Sequence, residues 1–497
     1  MGESQSWLFE PTFNRSVKVE SKNERITTDG GALLLREADH QLGLTEYLAS
    51  QLTDPRREDR IRYTLTELLR ERMYAMALGY SVQDDADRLA HDPAFQMAVW
   101  DRRGDDVIEE RLASQPTQSR LISLLAQEEN REKFRDGLFE SISRYVLSSG
   151  PQRRVFRATI DVDSFPVEVH GSQSGAAYNG HYGAKIYHPL VASICIDGKY
   201  DAARPGSRLG NGFIAAQLRP GNAYTADDSL PFMQALVGRV RQICRFFDFR
   251  LDAGFVTGEI MDPLTDENVR FLGRIKANPR LQALAEPHLT RPPGRPPKGG
   301  YERVIELGQY QADNWKHSQR LILVIVDAPD SQGLLFEMPH YFFLLTNHPK
   351  STRSGWNILK HYRQRGTFED RLSEFNTVLG PHLSQDDCWK NDVSLVMALL
   401  AFNLSSFLRL ELEAARQGSW DLVRFRDCVL KAGGRIVKHG NRLVVKLAKA
   451  VSTFWSTLSA RVARWRLPTT FPTRKGPQPR SWMPPPAHAH SELVFRE

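Results

Sequence analysis

The 497-residue sequence has little of the chemistry that marks a secreted, disulfide-stabilised or zinc-binding protein. Its four cysteines, Cys195, Cys244, Cys388 and Cys428, are far apart, and no two of them form a C-x-x-C pair. This spacing predicts neither a disulfide framework nor a zinc site, and it is typical of a protein from a reducing cytoplasm.

The sequence also lacks the apolar segments that a membrane protein needs. The N-terminal stretch MGESQSWLFEPTF has no charged segment followed by an apolar one, so it does not resemble a signal peptide. The longest uncharged run, residues 393–408, is too short for a membrane span and is interrupted by Ser and Asn. It predicts a buried helix, and we expect no membrane partner.

Acidic residues are nearly missing from one stretch near the C-terminus. Between Arg424 and His490 there are 14 Lys and Arg residues and one acid, Asp427, whereas the whole chain carries a net charge of only +7. Solvated surfaces usually mix both signs of charge. The stretch therefore predicts a region that binds nucleic acid mainly through phosphates. A solubilising basic surface is the alternative.

Part of this stretch, residues 433–450, alternates enough to form a hairpin that turns at residues 439–441, although an amphipathic helix would present the same charges. Either form would carry a basic module made of Arg435, Lys438, Arg442 and Lys446.

The length predicts roughly two to four domains, and the composition, 41% apolar and 25% charged, is that of a globular protein. Changes in pattern divide the chain into a helical N-terminal domain, a mixed α/β core in two parts, an insertion between them, and a basic C-terminal region. The predicted bounds are 1–152 for the helical domain, 153–278 and 351–410 for the core, 279–350 for the insertion and 411–497 for the basic region.

The N-terminal domain predicts amphipathic helices, one or two of them opened by the turn Asp29-Gly30-Gly31. Two further helices separated by Gly79-Tyr80 could form a helix-turn-helix that reads DNA. Helical hairpins that only pack against their neighbours are commoner, so both interpretations stay open.

The central part alternates between strands and helices. Strands are predicted within 153–170, 187–198, 212–223, 244–255 and 269–278, and a helix over about 226–245, which indicates a mixed α/β sheet. The stretch RPPGRPPKGG, residues 291–300, predicts a flexible linker, or less favourably a segment that lies in a DNA minor groove. Three antiparallel strands then predict a β insertion before residue 351.

Acidic residues stand at the ends of two predicted strands. Asp161 and Asp163 alternate near the end of the first strand, and Asp252 ends a later one. With Glu369 from a following helix, they could form a divalent-cation site, and two such ions can support phosphodiester chemistry. The alternative is that Asp163 and Asp252 only form strand-end turns.

The helix is predicted from the stretch HYRQRGTFEDRLSEF, residues 361–375. At 100° per residue, Tyr362, Arg365, Glu369 and Asn376 share an arc of about 60° beside an apolar row. A solvated charged face would give the same pattern.

Several of these segments resemble bacterial insertion-sequence transposases of the DDE class, in the group with a Y-x2-R-x3-E-x6-K signature. Tyr362, Arg365 and Glu369 match that signature, DVDSF and RLDAGF resemble the segments of the two catalytic aspartates, and GGALLLREAD, LASQPTQSRL and HGSQSGAAYNGHYGAKIYHPL resemble one insertion-sequence family. The likeness selects Asp163 over Asp161. Asn376 departs from the signature Lys, and Phe165 stands where Thr is usual.

The resemblance implies an RNase H-like mixed sheet with flanking helices, interrupted by the β insertion. It implies that Asp163, Asp252 and Glu369 bind Mg²⁺ or Mn²⁺, as two ions, to cut transposon ends and transfer strands into target DNA. Tyr362 and Arg365 would hold the phosphate backbone. The expected partners are double-stranded DNA and a second copy of the chain, and the expected location is the bacterial cytoplasm, at the nucleoid.

Two alternatives to this function remain, a nuclease without strand transfer and a catalytically dead DNA-binding derivative. Some side chains also have two interpretations. Trp315 could stack on an unpaired base or pack inside a hairpin. His170, His181 and His188 are expected to be hydrogen-bonded loop residues rather than metal ligands.

Overall fold

A computed structural model gives the fold, and it describes residues 8–20, 23–102, 104–148, 155–196, 212–290, 301–327, 339–380, 383–416, 420–440 and 442–467. The predicted linker 291–300 and the last part of the basic stretch, 468–490, lie outside the described residues.

The strands, in chain order, are β1 Arg25–Thr27, β2 Val155–Ser164, β3 Val167–Glu168, β4 Ala177–Asn179, β5 Ala184–Tyr187, β6 Leu190–Ile196, β7 Gly212–Gln217, β8 Cys244–Leu251, β9 Arg270–Ile275, β10 Tyr301–Tyr310, β11 Gln319–Asp327, β12 His340–Thr346, β13 Gly434–His439 and β14 Arg442–Leu447. All the strands predicted for the core and the insertion are confirmed.

The α-helices are α1 Ala32–Leu42, α2 Leu44–Gln51, α3 Leu65–Ala77, α4 Asp85–Leu89, α5 Pro93–Val99, α6 Gln115–Leu125, α7 Glu128–Ser148, α8 Ser229–Ile243, α9 Gly258–Asp266, α10 Pro279–Ala285, α11 Gly355–Arg363, α12 Gly366–Val378, α13 Cys388–Arg416, α14 Leu422–Phe425 and α15 Ser452–Val462. The predicted helix over 226–245 is α8. The short α9 was not predicted, and Pro263 lies inside it.

An eight-stranded mixed sheet forms the centre of the molecule, in the order β10-β11-β12-β9-β8-β2-β6-β7. β2 runs parallel to β8, and β8 runs parallel to β9, while every other neighbouring pair is antiparallel. On β2 the side chains of Ala158, Ile160 and Val162 are fully buried on one face. The residues between them therefore point to the other face, toward α11 and α12.

The predicted β insertion forms its three strands but does not form a module apart from the core. β12 pairs with β9 from Phe343↔Ile275 to Thr346↔Leu272, so β10, β11 and β12 extend the main sheet. The pairing has a simple physical reason, since β9 would otherwise present unpaired backbone groups at a sheet edge. Local pattern predicted the strands, but not which strand they would join.

The apolar run at 393–408 is buried, as predicted. It lies within α13, which among the described helices has the length and composition to cross a membrane, but 89% of its most apolar window is buried inside the protein. Asn403 attaches this helix to the sheet, because its side chain accepts from the backbone N–H of Phe213 at 2.9 Å and donates to the carbonyl of Phe213 at 2.8 Å. α13 is thus the central core helix.

The predicted helix-turn-helix does not have a free recognition helix. Thr64 and Glu67 form a capping box at the start of α3, and every residue of α3 except Thr66 is buried. The helix that follows, α4, is only five residues long. Since the second helix of a helix-turn-helix is the one that reads DNA, a five-residue α4 after an enclosed α3 favours the packing interpretation of this segment.

A single connected apolar core reaches from Ala32 in α1 to Trp465 near the end of the described chain. The core includes residues from each predicted part of the chain, and the bounds at residues 152, 278, 350 and 410 stay predictions. A second, smaller apolar cluster lies between the sheet and α11, where Leu272, Ile322, Val324 and Leu344 meet Ile358 and Leu359.

The hairpin predicted within 433–450 is present. β13 and β14 pair from Gly434↔Leu447 to His439↔Arg442, and Gly440 takes the positive φ of 61° that the tight turn requires. β1 adds a third strand by pairing with β13. The hairpin is therefore fixed to the N-terminal segment of the chain.

Candidate active site

The parallel pairing of β2 and β8 brings two predicted carboxylates to one edge of the sheet. Their register ends at Val162↔Leu251, and Asp163 and Asp252 are the next residue on each strand. Neighbouring parallel strands point equivalent residues to the same face, so the two carboxylates lie side by side.

Asp161, two residues before Asp163 on the same face of β2, is paired with Arg250. It is 1% exposed, and both of its carboxylate oxygens accept hydrogen bonds of 2.6 Å from Nε and Nη2 of Arg250, its register partner on β8. The same guanidinium donates to the carbonyl of His361 at 2.7 Å. Asp161 is therefore part of a closed structural ion pair, an arrangement that agrees with the choice of Asp163.

Asp163 is partly buried at the open edge. Its Oδ2 accepts from Nη2 of Arg365 at 2.5 Å, and its Oδ1 accepts from the backbone N–H of Ser164 at 2.8 Å. Burial raises the pKa of the Asp163 carboxyl to about 6, the negative charges of Asp252 and Glu369 act in the same direction, and Arg365 and Ser164 act against them. Three acids thus influence one another electrostatically at this edge.

Arg365 is the side chain that connects them. It is 5% exposed, its Nη2 binds Asp163, and its Nε lies 3.8 Å from Oε1 of Glu369. Its Nη1 points to the carbonyl oxygens of Val162 and Arg250, each 3.5 Å away. The guanidinium therefore contacts the ends of β2 and β8 and also lies near Glu369 in the first turn of α12.

The single helix predicted across 361–375 is two helices. α11 ends at Arg363, α12 begins at Gly366, and Gln364 and Arg365 form the turn between them. Glycine at 366 weakens helix continuity, and the burial of Arg365 draws the chain toward the sheet. The predicted arc of Tyr362, Arg365, Glu369 and Asn376 on one helix face is therefore wrong, although the first three still meet at the site.

Tyr362 and Glu369 complete the surroundings of the two aspartates. Burial raises the pKa of the Tyr362 hydroxyl, and the nearby charge of Asp252 raises it further. The Glu369 side chain is 65% exposed. Asn376 lies farther along α12, where it lines a separate cavity with Glu168 and His170. Asn376 is thus away from the aspartates.

The three acids have the donor chemistry that a divalent cation needs, since carboxylate oxygens are hard ligands. Within the described ranges, no group of three or more His, Cys, Asp or Glu side chains is close enough to hold a metal ion. Arg365 lies where a cation on Asp163 would lie. Asp163, Asp252 and Glu369 therefore fit a metal by type, and the binding of one requires the Arg365 guanidinium to move.

A second charged cluster behind the site was missed in the sequence. Asp248 is buried, and Nε2 of His361 and Nε2 of His348 each lie 3.1 Å from one of its carboxylate oxygens. Burial opposes ionisation of Asp248, but His361, His348 and Arg353 together hold its pKa far below the usual range. The cluster joins β8 to α11. Its only sequence signal is that Asp248 precedes Asp252 by four residues on the same strand face.

The predicted basic module has three members on one face of the β13–β14 hairpin. Arg435 pairs across the strands with Lys446, and Arg442 lies two residue pairs farther along the same face. All three are exposed, whereas Lys438 is exposed on the opposite face near the turn. Arg435 also forms an ion pair with Glu24 at 3.0 Å. Part of its charge is therefore balanced.

Trp315 and the three histidines have structural surroundings. Trp315 is 9% exposed, packs edge-on against Tyr310 and fills the space beside Gly258, so the hairpin-packing interpretation describes it. His188 is buried with Nδ1 at 3.0 Å from the carbonyl of Ala223. His170 and His181 are exposed loop residues. The described part of the chain gives none of them a metal-binding arrangement.

Comparison with known proteins shows the family to which the chain belongs. The family described as "Transposase DDE domain group 1" matches residues 9–465. No curated protein matches the chain. A cryo-EM structure of the piggyBac transposase synaptic complex with hairpin DNA is 13% identical, covering 90% of this chain and 87% of that chain with a TM-score of 0.37, which is too low to carry an argument. Because the family match spans nearly the whole chain, this protein belongs to the DDE transposases of that group.

Proposed function

We propose that this protein cuts DNA at transposon ends and transfers the cut strands into target DNA, with Asp163, Asp252 and Glu369 as its catalytic carboxylates. The observation that carries the proposal is the register of β2 and β8, which brings Asp163 and Asp252 together at the sheet edge that Arg365 links to Glu369. Membership of the DDE transposase family supports the choice of reaction.

The strand order supports an RNase H-like core. β7, β6 and β2 form an antiparallel series, and β8 and β9 follow as parallel neighbours of β2, in the order β7-β6-β2-β8-β9. In an open α/β sheet the carboxyl ends of parallel strands are the usual place for a site. Asp163 and Asp252 occupy these ends.

The family generally uses divalent metal ions, and Mg²⁺ or Mn²⁺, as a pair of ions, suits three carboxylates. When bound, such ions would activate the attacking oxygen and stabilise the leaving one. Asp163, Asp252 and Glu369 would hold them. At neutral pH the Asp163 carboxyl, with a pKa of about 6, is mainly ionised and ready to bind.

Tyr362 and Arg365 then act on the DNA. Once Arg365 leaves Asp163, its planar guanidinium can bond a backbone phosphate through two N–H groups. Tyr362, which lies near both Asp252 and Glu369, can donate a hydrogen bond from its hydroxyl to the same phosphate. These two side chains would orient the bond that is cut, rather than take part in proton transfer.

The remaining parts of the proposal concern partners. The hairpin side chains Arg435, Lys438, Arg442 and Lys446 would add contacts to DNA phosphates, and two copies of the chain would hold the two transposon ends. We also propose that the protein acts at the nucleoid in the bacterial cytoplasm.

Strand transfer tests the proposal and separates it from its alternatives. Purified protein is incubated with Mg²⁺ or Mn²⁺, a supercoiled target plasmid and DNA fragments that carry the sequences flanking its gene. A transposase joins the fragment ends to the plasmid. A nuclease cuts the fragments without joining them, and an inactive derivative binds them without cutting.

A further inference from the structure

A basic cleft lies away from the proposed active site, at the opposite ends of β2 and β8. Two adjoining cavities of about 300 and 360 Å³ share Arg157, Thr352 and Arg353 as lining residues. The first extends along α11 to Lys360, and the second extends across β8 to Arg245 and Arg270. These six residues define what is called here the α11 cleft.

The lining of the α11 cleft is strongly positive. All seven residues that line the first cavity are polar, and the two cavities together have five Lys or Arg residues, namely Arg157, Arg245, Arg270, Arg353 and Lys360. The lining includes one acid, Asp248, which is fully buried and already surrounded by His348, His361 and Arg353. The open surface of the cleft therefore attracts anions.

Three of the five basic side chains face the open cleft, whereas Arg270 donates through Nη1 to the carbonyl of Asn347 at 2.6 Å and so also supports the fold. Arg157, Arg245 and Lys360 are exposed. Arg353 is paired with Asp248 at 3.2 Å, so it adds positive charge beneath the cleft rather than an exposed donor. Phe246, beside Arg245 in the same lining, is 50% exposed. Arginine and lysine with an exposed aromatic ring suit the backbone and sugars of a nucleic acid.

The α11 cleft and the proposed active site lie on one face of the sheet. Arg157, Thr159, Asp161 and Asp163 alternate along β2, so all four point to the same side. Thr159 Oγ1 lies 3.4 Å from Nε2 of His361, which shows that this side faces α11. Asp163 is six residues farther along β2 than Arg157, a distance of about 20 Å.

We propose that the α11 cleft binds phosphates of the same DNA duplex whose cut bond lies at the Asp163 edge. The inference takes its partner, DNA, from the proposed function, while the cleft itself is defined by geometry and charge alone. Because DNA rises about 3.4 Å per base pair, a separation of about 20 Å corresponds to about six base pairs between the cut bond and the bound phosphates.

Salt-dependent DNA binding by the full chain tests the cleft. The triple variant Arg157→Gln, Arg245→Gln, Lys360→Gln removes three exposed charges from the lining, and Lys276→Gln, Arg280→Gln, Lys316→Gln removes three exposed charges outside it. Binding of a fluorescent 30-base-pair duplex is measured by anisotropy at several salt concentrations. The cleft variant should lower the slope of log K against log salt by about two to three, and weaken binding on the order of a hundredfold at 0.1 M salt.

The control variant should keep the wild-type slope. Equal slopes for the wild type, the cleft variant and the control variant would overturn the inference. Inorganic phosphate and polyglutamate, added as competitors at matched ionic strength, separate other anions from DNA. If either displaces the duplex as well as unlabelled duplex does, the cleft is a site for small anions or for acidic protein, and the inference is overturned.

Duplex length tests the distance. On end duplexes that stop about three base pairs from the cut position, the cleft variant should bind as tightly as the wild type. On duplexes that extend about twelve base pairs beyond that position, it should bind more weakly than the wild type. An equal loss on both lengths would overturn the placement. These results do not depend on catalysis. If the wild-type protein never cuts DNA but the cleft variant still lowers the salt slope, the proposed function fails and the α11 cleft remains.

Discussion

Arg365 and Asp163 form a direct ion pair that connects the start of α12 to the end of β2, with Nη2 of the guanidinium 2.5 Å from Oδ2 of the carboxylate. The arginine is buried, and it also approaches Glu369. Since Asp163 is a proposed metal ligand, we expect the ion pair and the metal to compete for it. In the structure, Arg365 balances the partly buried charge of Asp163.

The competition predicts the behaviour of Arg365→Gln. In the absence of DNA this variant should bind Mn²⁺ more tightly, because neither the ion pair nor the positive charge of Arg365 opposes the cation. Its cleavage of DNA should fall, because the phosphate contact is lost. Calorimetric titration with Mn²⁺ measures the first effect. Arg363→Gln is the matched control, since Arg363 is exposed and pairs with Glu302, and tighter Mn²⁺ binding in both variants would contradict the explanation.

The three carboxylates should be needed for cleavage but not for DNA binding. Asp163→Asn, Asp252→Asn and Glu369→Gln each remove one charged metal ligand while keeping the size of the side chain. We expect each variant to lose cleavage in Mg²⁺ and in Mn²⁺, and to bind end DNA about as well as the wild type. Gel assays of cleavage and binding measure both properties. Normal cleavage by Asp163→Asn would show that Asp163 is not the catalytic carboxylate at the end of β2.

Asp161 should matter for stability rather than for chemistry. Asp161→Ala leaves the Arg250 guanidinium buried without its carboxylate, and removing one partner of a buried pair costs about 3–5 kcal/mol of unfolding free energy. The double variant Asp161→Leu, Arg250→Met removes both charges and should recover much of that loss. Thermal unfolding measures the three proteins. A double variant no more stable than the single one would contradict this account of the pair.

The raised pKa of Asp163 predicts a pH effect on the metal-free protein. The folded carboxyl has a pKa of about 6 against the ordinary value of 3.8, so the folded state holds its proton more tightly than the unfolded state. The contribution of Asp163 to stability is therefore full below pH 3.8 and is lost as the pH rises to about 6. The shift corresponds to about 3 kcal/mol of unfolding free energy.

Asp163→Asn cannot ionise and should lack this part of the pH dependence. Unfolding by urea in EDTA, between pH 4 and pH 7, should show the wild type losing more stability than the variant over this range. Asp370→Asn, an exposed acid on the same helix as Glu369, serves as the control. Parallel pH profiles for wild type and Asp163→Asn would show that the carboxyl titrates normally.

The basic hairpin should bind DNA without reading its sequence. Neutralising Arg435, Lys438, Arg442 and Lys446 to Gln should weaken binding to unrelated duplexes about equally and reduce the salt slope by about one unit per lost phosphate contact. The slope change should fall short of four, because Arg435 already pairs with Glu24. An unchanged slope in the quadruple variant would leave the hairpin as a solubilising or partner-binding surface.

The sequence by itself determined the local structure and the candidate residues. Alternation of apolar and polar residues predicted β2, because a strand buried on one face repeats every two residues. The segments of β6, β8 and β9 were also predicted as strands, although β6 is buried on both faces. The basic hairpin and the buried helix α13 followed from similar local patterns. Asp163, Asp252 and Glu369 stood out by their positions at strand ends and on a helix, and the resemblance of short segments to a known family selected Asp163 over Asp161.

Only the tertiary structure decided which of these groups meet. Asp161 and Asp163 are equivalent in the pattern, yet Arg250 lies opposite one and Arg365 reaches the other from 202 residues away in the chain. Likewise, no local pattern shows that β12 joins β9, that α3 is enclosed, or that His348 and His361 converge on Asp248. Periodicity records which face of an element is buried, whereas the partner of each buried charge depends on how distant elements pack.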